Sequence, residues 1–159
     1  MTTRSTTIPP ETPTRSITGV AVTTAIVTTL ALLWANFVDT PWRDPATAWG
    51  INSDRGIVGL LLIAGFVALG VGVVYGVVVR RTMATDPASE ARTAVILALV
   101  GVLTIVAFWT GLPIVLGSAA AYLGLDARAR LGHTPPTAGI AISLGLLVAT
   151  AALFICVTG

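Results

Sequence analysis

The sequence predicts an all-α integral membrane protein, a polytopic bundle of four to five hydrophobic helices. Of its 159 residues, 55% are hydrophobic and only 10% are charged, whereas a soluble domain usually has about 25% charged residues. The hydrophobic residues form long segments without any charge, each long enough for a helix to cross a hydrocarbon core of roughly 30 Å. A helix surrounded by lipid needs no charged surface, so both observations indicate the same class of fold.

The N-terminal part of the chain divides into a tail and a first helix. Residues 1–16 contain six threonines and three prolines, a composition that predicts a disordered tail because it offers little apolar surface to bury. Ile17–Phe37 follows without a charge and is predicted to be the first membrane helix. It is longer than the apolar part of a signal peptide. Residues 17–159 are therefore predicted to form a single transmembrane helical domain.

A polar loop separates the first helix from the second. The loop covers residues 38–55, and its Trp42 and Trp49 are predicted to lie at the outer membrane interface, where tryptophan is enriched. The next uncharged segment, Gly56–Val79, is the predicted second helix. After a short loop, Asp86 followed by Pro87 is a typical helix start, with the carboxylate as N-cap and proline at the first helical position.

The uncharged segment 93–125 is too long for one membrane helix. A continuous helix of this length would measure about 50 Å, which exceeds the hydrocarbon core even when the helix tilts. Gly111 and Pro113 near its middle indicate a turn. We therefore predict a short helical hairpin at about 93–127, whose second helix either spans the membrane or is re-entrant. A last helix is predicted from about 136 to 157. Five helices are favoured, with four as the alternative.

The distribution of arginines favours five crossings and predicts the orientation. With five crossings and a cytoplasmic N-terminus, seven arginines are cytoplasmic and two, Arg43 and Arg55, are outside. With four crossings the split is five to four, which is less consistent with the excess of basic residues in cytoplasmic loops. The sequence thus predicts a multi-pass protein of the inner (plasma) membrane, with its C-terminus extracytoplasmic. The seven arginines are Arg4, Arg15, Arg80, Arg81, Arg92, Arg128 and Arg130.

Small residues recur at every fourth position in three of the predicted helices. Residues four apart lie on the same face of a helix, and a row of small residues lets another helix backbone approach closely. Two interpretations follow: the rows pack helices within the monomer, or they bind a partner or a second copy. The candidate helix-packing residues are Ala64, Ala68, Gly72 and Gly76 in the second helix, Gly117 and Ala121 in the hairpin, and Gly145 and Ala149 in the last helix.

The sequence offers little chemistry. His133 is the single histidine and Cys156 the single cysteine, whereas a metal site needs several such ligands. No titratable residue lies inside a predicted span, although ion-coupled transporters usually have one there. We therefore predict no enzyme, no cofactor, no metal site and no catalytic residue. The only candidates for a polar cluster at the membrane interface are four residues of the first loop, Asp39, Asp44, Asn52 and Asp54.

The C-terminal third of the chain contains a recurring set of motifs. An apolar hairpin with Gly117 is followed by Gly124–Arg130 and then by Gly139–Gly145 at the start of the last helix. Over residues 95–155 this pattern resembles a family of short bacterial membrane proteins of unknown function. The absence of lysine and glutamine is typical of a GC-rich, actinobacterial-type genome. The resemblance implies a multi-pass architecture and no particular activity.

These observations predict a non-catalytic membrane protein that acts by helix packing, as an accessory or scaffold subunit of a larger membrane assembly. Its expected partners are membrane lipids and either another membrane protein or a second copy. The formal net charge of +2 is too small to indicate nucleic-acid binding. Two alternatives remain: a small transporter or channel lined by the threonines of the first helix, and a membrane enzyme acting on a lipid-linked substrate.

Overall fold

A computed structural model of the chain describes residues 16–41, 50–51 and 56–158. Within these ranges it is an all-α bundle of five helices, as predicted. The helices are α1 (Ile17–Phe37), α2 (Gly56–Met83), α3 (Pro87–Thr110), α4 (Leu112–Leu131) and α5 (Pro136–Thr158). The predictions for the N-terminal tail and for several residues of the first loop lie outside the described residues, namely those for Trp42, Asp44, Trp49, Asn52 and Asp54.

Two of the helices change their winding along their length. Helix α2 is α-helical over Gly56–Val73, π-helical over Val74–Val79 and again α-helical over Arg80–Met83. Helix α3 is α-helical over Pro87–Leu103 and ends in a 3₁₀ segment, Thr104–Thr110. After α1, a minimal antiparallel ladder pairs β1 (Val38–Asp39) with β2 (Gly50–Ile51).

Four of the helices, α1, α2, α3 and α5, are long and apolar enough to cross a membrane. Their outward surfaces are rich in large aliphatic side chains; Leu30, Leu62 and Leu103 are 61%, 68% and 74% exposed. A water-facing surface of this composition would be strongly unfavourable, whereas lipid solvates it well. The chain is therefore a helical membrane protein.

Helix α4 forms the centre of the bundle. It contacts all four other helices, and Ile114, Val115 and Leu123 are at most 3% exposed. At one end it begins beside Leu32 of α1, and at the other Arg130 contacts the end of α2. A helix of this length measures about 30 Å. It runs alongside α3 as the second arm of the predicted hairpin rather than turning back within the bundle.

The turn between α3 and α4 consists of the single residue Gly111. Its φ of +72° is left-handed, a conformation that a side chain disfavours. A Cβ atom at this position would also lie 2.5 Å from Cγ2 of Thr28 in α1. The Thr110 hydroxyl accepts a hydrogen bond from the Leu112 amide and thereby satisfies one free N–H at the start of α4. Glycine is thus required here for two independent reasons.

The loop predicted between the second and third helices is shorter than expected. Helix α2 continues to Met83 rather than ending at Val79, and α3 begins at Pro87, where Asp86 and Pro87 predicted a helix start. The predicted N-cap is confirmed: the Asp86 carboxylate accepts a hydrogen bond of 2.8 Å from the Ser89 amide. Since this cap and Pro87 fix the start of α3 before its apolar part, the helix includes Glu90 and Arg92, which precede the uncharged segment 93–125.

Candidate helix-packing interface and buried polar groups

The backbones of α4 and α5 touch at Gly117 and Gly145. A Cβ atom on Gly117 would lie 2.5 Å from the carbonyl oxygen of Gly145 and 2.9 Å from the amide nitrogen of Ala149. A Cβ atom on Gly145 would in turn lie 2.5 Å from the Gly117 oxygen and 2.9 Å from the Ala121 nitrogen. These distances are far below van der Waals contact, so both positions require glycine. We call this contact, formed by Gly117, Ala121, Gly145 and Ala149, the α4–α5 seam.

Further glycines extend the close packing to α3 and along α4. A Cβ atom on Gly124 would lie 2.8 Å from Cγ1 of Ile142 and 3.0 Å from the Ala138 oxygen. A Cβ atom on Gly101 of α3 would lie 3.1 Å from Cγ1 of Val148. Helices α3, α4 and α5 therefore form one tightly packed unit, in which small residues allow dispersion contacts to accumulate between backbones.

The row of small residues on α2 has a different environment. Ala64 is half-buried, while Ala68, Gly72 and Gly76 are exposed. A Cβ atom on Gly72 or Gly76 would meet no atom within 4 Å. We call these four residues the α2 ridge. In the described parts of the chain, Ala68, Gly72 and Gly76 therefore do not pack against another helix of the monomer. Contact of these residues with a partner stays a prediction.

Helix α2 packs on the bundle through a different face. The buried residues of this face are mainly β-branched valines, which are stiff and bulky compared with glycine and alanine. They pack in one apolar core with residues of α4 such as Ile114. The side chains that attach α2 are thus not those that the spacing of small residues singled out; they are Val67, Val71, Val74, Tyr75 and Val79.

Three hydroxyl groups meet between α1, α2 and α4. The Tyr75 hydroxyl donates to Ser118 Oγ over 3.0 Å, Thr24 also donates to Ser118 over 3.3 Å, and Ser118 donates to the Val115 carbonyl over 2.9 Å. Each hydroxyl has one proton to donate, so this arrangement uses all three. The three hydroxyl protons are therefore all bonded within the bundle, and the network joins three helices. Of the α1 threonines, Thr24 and Thr28 are buried.

Arg130 connects three elements at the other end of α4. Its Nη1 donates to Oε2 of Glu90 over 2.6 Å and to the Met83 carbonyl over 3.1 Å, while Nη2 donates to the Thr85 carbonyl over 3.1 Å. Glu90 is fully buried, and Oδ2 of Asp126 lies 4.0 Å from Nη1. These contacts join the end of α2, the start of α3 and the end of α4. We call Glu90, Asp126 and Arg130 the Arg130 cluster.

Sequence reasoning missed this cluster. It placed no charged residue inside a predicted membrane span, and it considered Arg130 for orientation and not as a partner of Glu90. The available signal was the symmetry of the hairpin: Glu90 precedes Gly111 by 21 residues and Arg130 follows it by 19. In an antiparallel hairpin, residues at similar distances from the turn lie at the same level. Opposite charges at these positions predict a pair across the hairpin.

The remaining candidate groups do not form a catalytic arrangement in the described part of the chain. His133 is exposed, with Nδ1 3.1 Å from the Leu131 carbonyl. Cys156 is buried, and its thiol donates to the Phe108 carbonyl over 3.9 Å. Asp39 lies in β1. Among the described residues, no three His, Cys, Asp or Glu side chains are grouped closely enough to hold a metal ion.

The fold and these contacts define the class: a helical membrane protein whose described polar groups bond mainly to one another and to the backbone. Comparison with other proteins adds no particular relative, because no protein family, no curated protein and no solved structure matches the chain. The resemblance of residues 95–155 to short bacterial membrane proteins stays a prediction.

Proposed function

We propose that this protein is a non-catalytic accessory or scaffold subunit, which binds another membrane-embedded chain through the α2 ridge. The observation behind this proposal is the contrast between two glycine rows of the same spacing. The α4–α5 seam is filled by the chain itself, whereas Ala68, Gly72 and Gly76 are exposed and a Cβ atom on Gly72 or Gly76 would meet open space.

The physical argument concerns what drives association in lipid. Apolar surface alone gives little driving force there, since lipid tails are as apolar as leucine side chains. Affinity instead comes from backbones that approach closely enough for many weak dispersion contacts to form. A row of glycine and alanine permits this approach, whereas the neighbouring outward face of α2, with Leu62, Phe66 and Leu69, does not.

The two alternatives have less support. A channel or transporter lined by α1 threonines needs a polar path through the bundle, but the hydroxyl of Thr24 is engaged in a closed network and α4 occupies the centre. An enzyme acting on lipid-linked substrates would depend on the carboxylates of the first loop. Of these, Asp39 lies within the described residues, where it is part of a two-residue ladder.

Co-purification of a substituted protein tests the accessory role. Wild type, Gly72→Leu and Val73→Leu are purified in a mild detergent, and bound chains are identified by native mass spectrometry. Val73 is 51% exposed on α2 outside the ridge, so Val73→Leu controls for added bulk. We expect a reproducible partner or second copy with wild type and Val73→Leu, and its loss with Gly72→Leu. A partner retained by Gly72→Leu, or a lone monomer that conducts solute, would contradict the proposal.

We also propose a plasma-membrane location with a cytoplasmic N-terminus. Arg80 and Arg81 near the end of α2, Arg92 at the start of α3, and Arg128 and Arg130 at the end of α4 share one end of the bundle, because the Arg130 cluster joins these helix ends. Such a concentration of arginine is typical of the cytoplasmic side. Reporters active on only one side of the membrane, fused to each terminus, test this orientation. A cytoplasmic C-terminus would contradict it.

A further inference from the structure

The Arg130 cluster contains two carboxylates and one cation. Oε2 of Glu90 receives the short hydrogen bond from Arg130, but Oε1 of Glu90 and Oδ2 of Asp126 are buried and have no hydrogen-bond donor in the described chain. The same nitrogen of Arg130 brings the two carboxyl groups together, since Nη1 lies 2.6 Å from Oε2 of Glu90 and 4.0 Å from Oδ2 of Asp126. Ionised carboxylates can only accept hydrogen bonds. If both were ionised, two buried acceptors would have no donor, and one negative charge would remain uncompensated.

We propose that Glu90 and Asp126 form a proton-binding site, with one proton held between Oε1 of Glu90 and Oδ2 of Asp126. The bound proton supplies the missing donor, so that one carboxyl group donates to the other. One negative charge then remains on the pair, and it is matched by the guanidinium of Arg130. The cluster becomes neutral with both buried oxygens satisfied, which removes the large cost of an uncompensated charge and of unpaired polar atoms.

The surroundings allow the proton to exchange with water at this end of the bundle. Glu90 is fully buried, but the side chain of Asp126 is 23% exposed and that of Arg130 is 36% exposed. These are the two charged groups that act on Glu90. The end of α2 contributes the Met83 carbonyl, which accepts from Arg130. Helix α5 contributes the apolar Ala138, packed against Ala91 and Ala127 beside the cluster.

Proton binding would regulate how firmly three helices are joined. With the proton bound, the guanidinium bridges Glu90 and the carbonyls of Met83 and Thr85 without opposition from a second carboxylate. Loss of the proton places two like charges at the junction of α3 and α4 and weakens it. The folded state thus holds a proton that the unfolded chain releases, so this part of the stability is present at low pH and is lost as the pH rises.

The pH dependence of the melting temperature, Tm, tests the site. Detergent-purified wild type, Glu90→Gln, Asp126→Asn and the control Asp86→Asn are unfolded at values from about pH 5 to about pH 9. In Glu90→Gln, the amide oxygen can accept from Arg130 while its N–H₂ donates to Asp126, so the amide replaces the proton. Asp86 is an exposed helix cap.

We expect the Tm of wild type and Asp86→Asn to fall as the pH rises, with the unfolding equilibrium constant increasing by up to about tenfold per pH unit, the limit for one proton. Glu90→Gln and Asp126→Asn should lose this slope. Infrared spectroscopy should show the C=O stretch of a protonated carboxyl group in wild type at neutral pH, and this band should disappear in both variants.

A wild-type Tm that depends on pH no more than that of Glu90→Gln would overturn the proposal. So would the absence of a protonated-carboxyl band from wild type near neutral pH. If both substitutions prevent folding, the infrared titration of the wild-type protein decides by itself, because it requires no variant.

Discussion

The α4–α5 seam and the α2 ridge have the same sequence pattern but opposite environments. At the seam, Gly117 and Gly145 bring two backbones into contact, and an added Cβ atom would lie 2.5 Å from a carbonyl oxygen. On the ridge, an added Cβ atom at Gly72 or Gly76 would meet nothing within 4 Å. Small residues at every fourth position therefore show that a helix can be approached closely, but not which helix approaches it.

Chain connectivity explains the difference. Helix α4 follows α3 after the single residue Gly111 and is joined to α5 by residues 132–135 alone, so these helices are forced to be antiparallel neighbours. Helix α2 follows α1 after the long segment 38–55, which leaves its rotation to be decided by side-chain packing. The valine face of α2 packs on the bundle, and the ridge is thereby turned outward.

The largest expected effect is at the seam. Gly117→Ala should destabilise the protein by about 1–3 kcal/mol, the usual cost of overpacking, because the new methyl group meets backbone atoms that cannot rotate away. Unfolding by sodium dodecyl sulfate in mixed micelles measures the free energy of unfolding. Gly145→Ala, on the opposite side of the same contact, should have a similar effect. An unchanged free energy in both variants would mean that α4 and α5 are not in backbone contact.

A smaller effect is expected from the hydroxyl network that attaches α1 and α2 to α4. Thr24→Val keeps the shape of the side chain but removes the bond to Ser118, and interhelical hydrogen bonds in membranes contribute about 0.6 kcal/mol on average. Thr23→Val is the matched control, since Thr23 is exposed one residue earlier on the same helix. The same unfolding assay should separate the two variants. Equal effects would show that Thr24 contributes no interhelical bond.

The smallest effect is expected on the ridge. Gly72→Ala should lower the free energy of unfolding of the isolated monomer by less than about 0.5 kcal/mol, as is usual for open surface positions. A small gain in stability is also consistent with an exposed position, because alanine favours a helix more than glycine does. Since Gly117→Ala is the same chemical change, the pair of variants measures the environment alone. A loss at Gly72 as large as that at Gly117 would abolish the distinction between seam and ridge.

The apolar segments predicted the five helices, and Gly111 with Pro113 predicted the turn of the hairpin, because hydrophobicity and turn chemistry are properties of neighbouring residues. The Asp86–Pro87 pair predicted the start of α3. The burial of Glu90 was not predicted, because Glu90 lies before the uncharged segment 93–125 that defined the span. Its burial depends on Arg130, 40 residues further along. The direction of the α2 ridge also depends on distant residues, in this case on the packing of Val67 and Val71.

The position of α4 has a consequence for how the protein is made. Of the five helices, α4 is not among the four that are long and apolar enough to cross a membrane, yet it lies at the centre of the bundle. The single-residue turn at Gly111 makes α3 and α4 one unit, so we expect the translocon to release them into the bilayer as a pair. In the orientation proposed above, the Arg128 and Arg130 end of α4 would then never need to cross, and α3 would have to wait until the ribosome had finished α4 before either helix entered the bilayer.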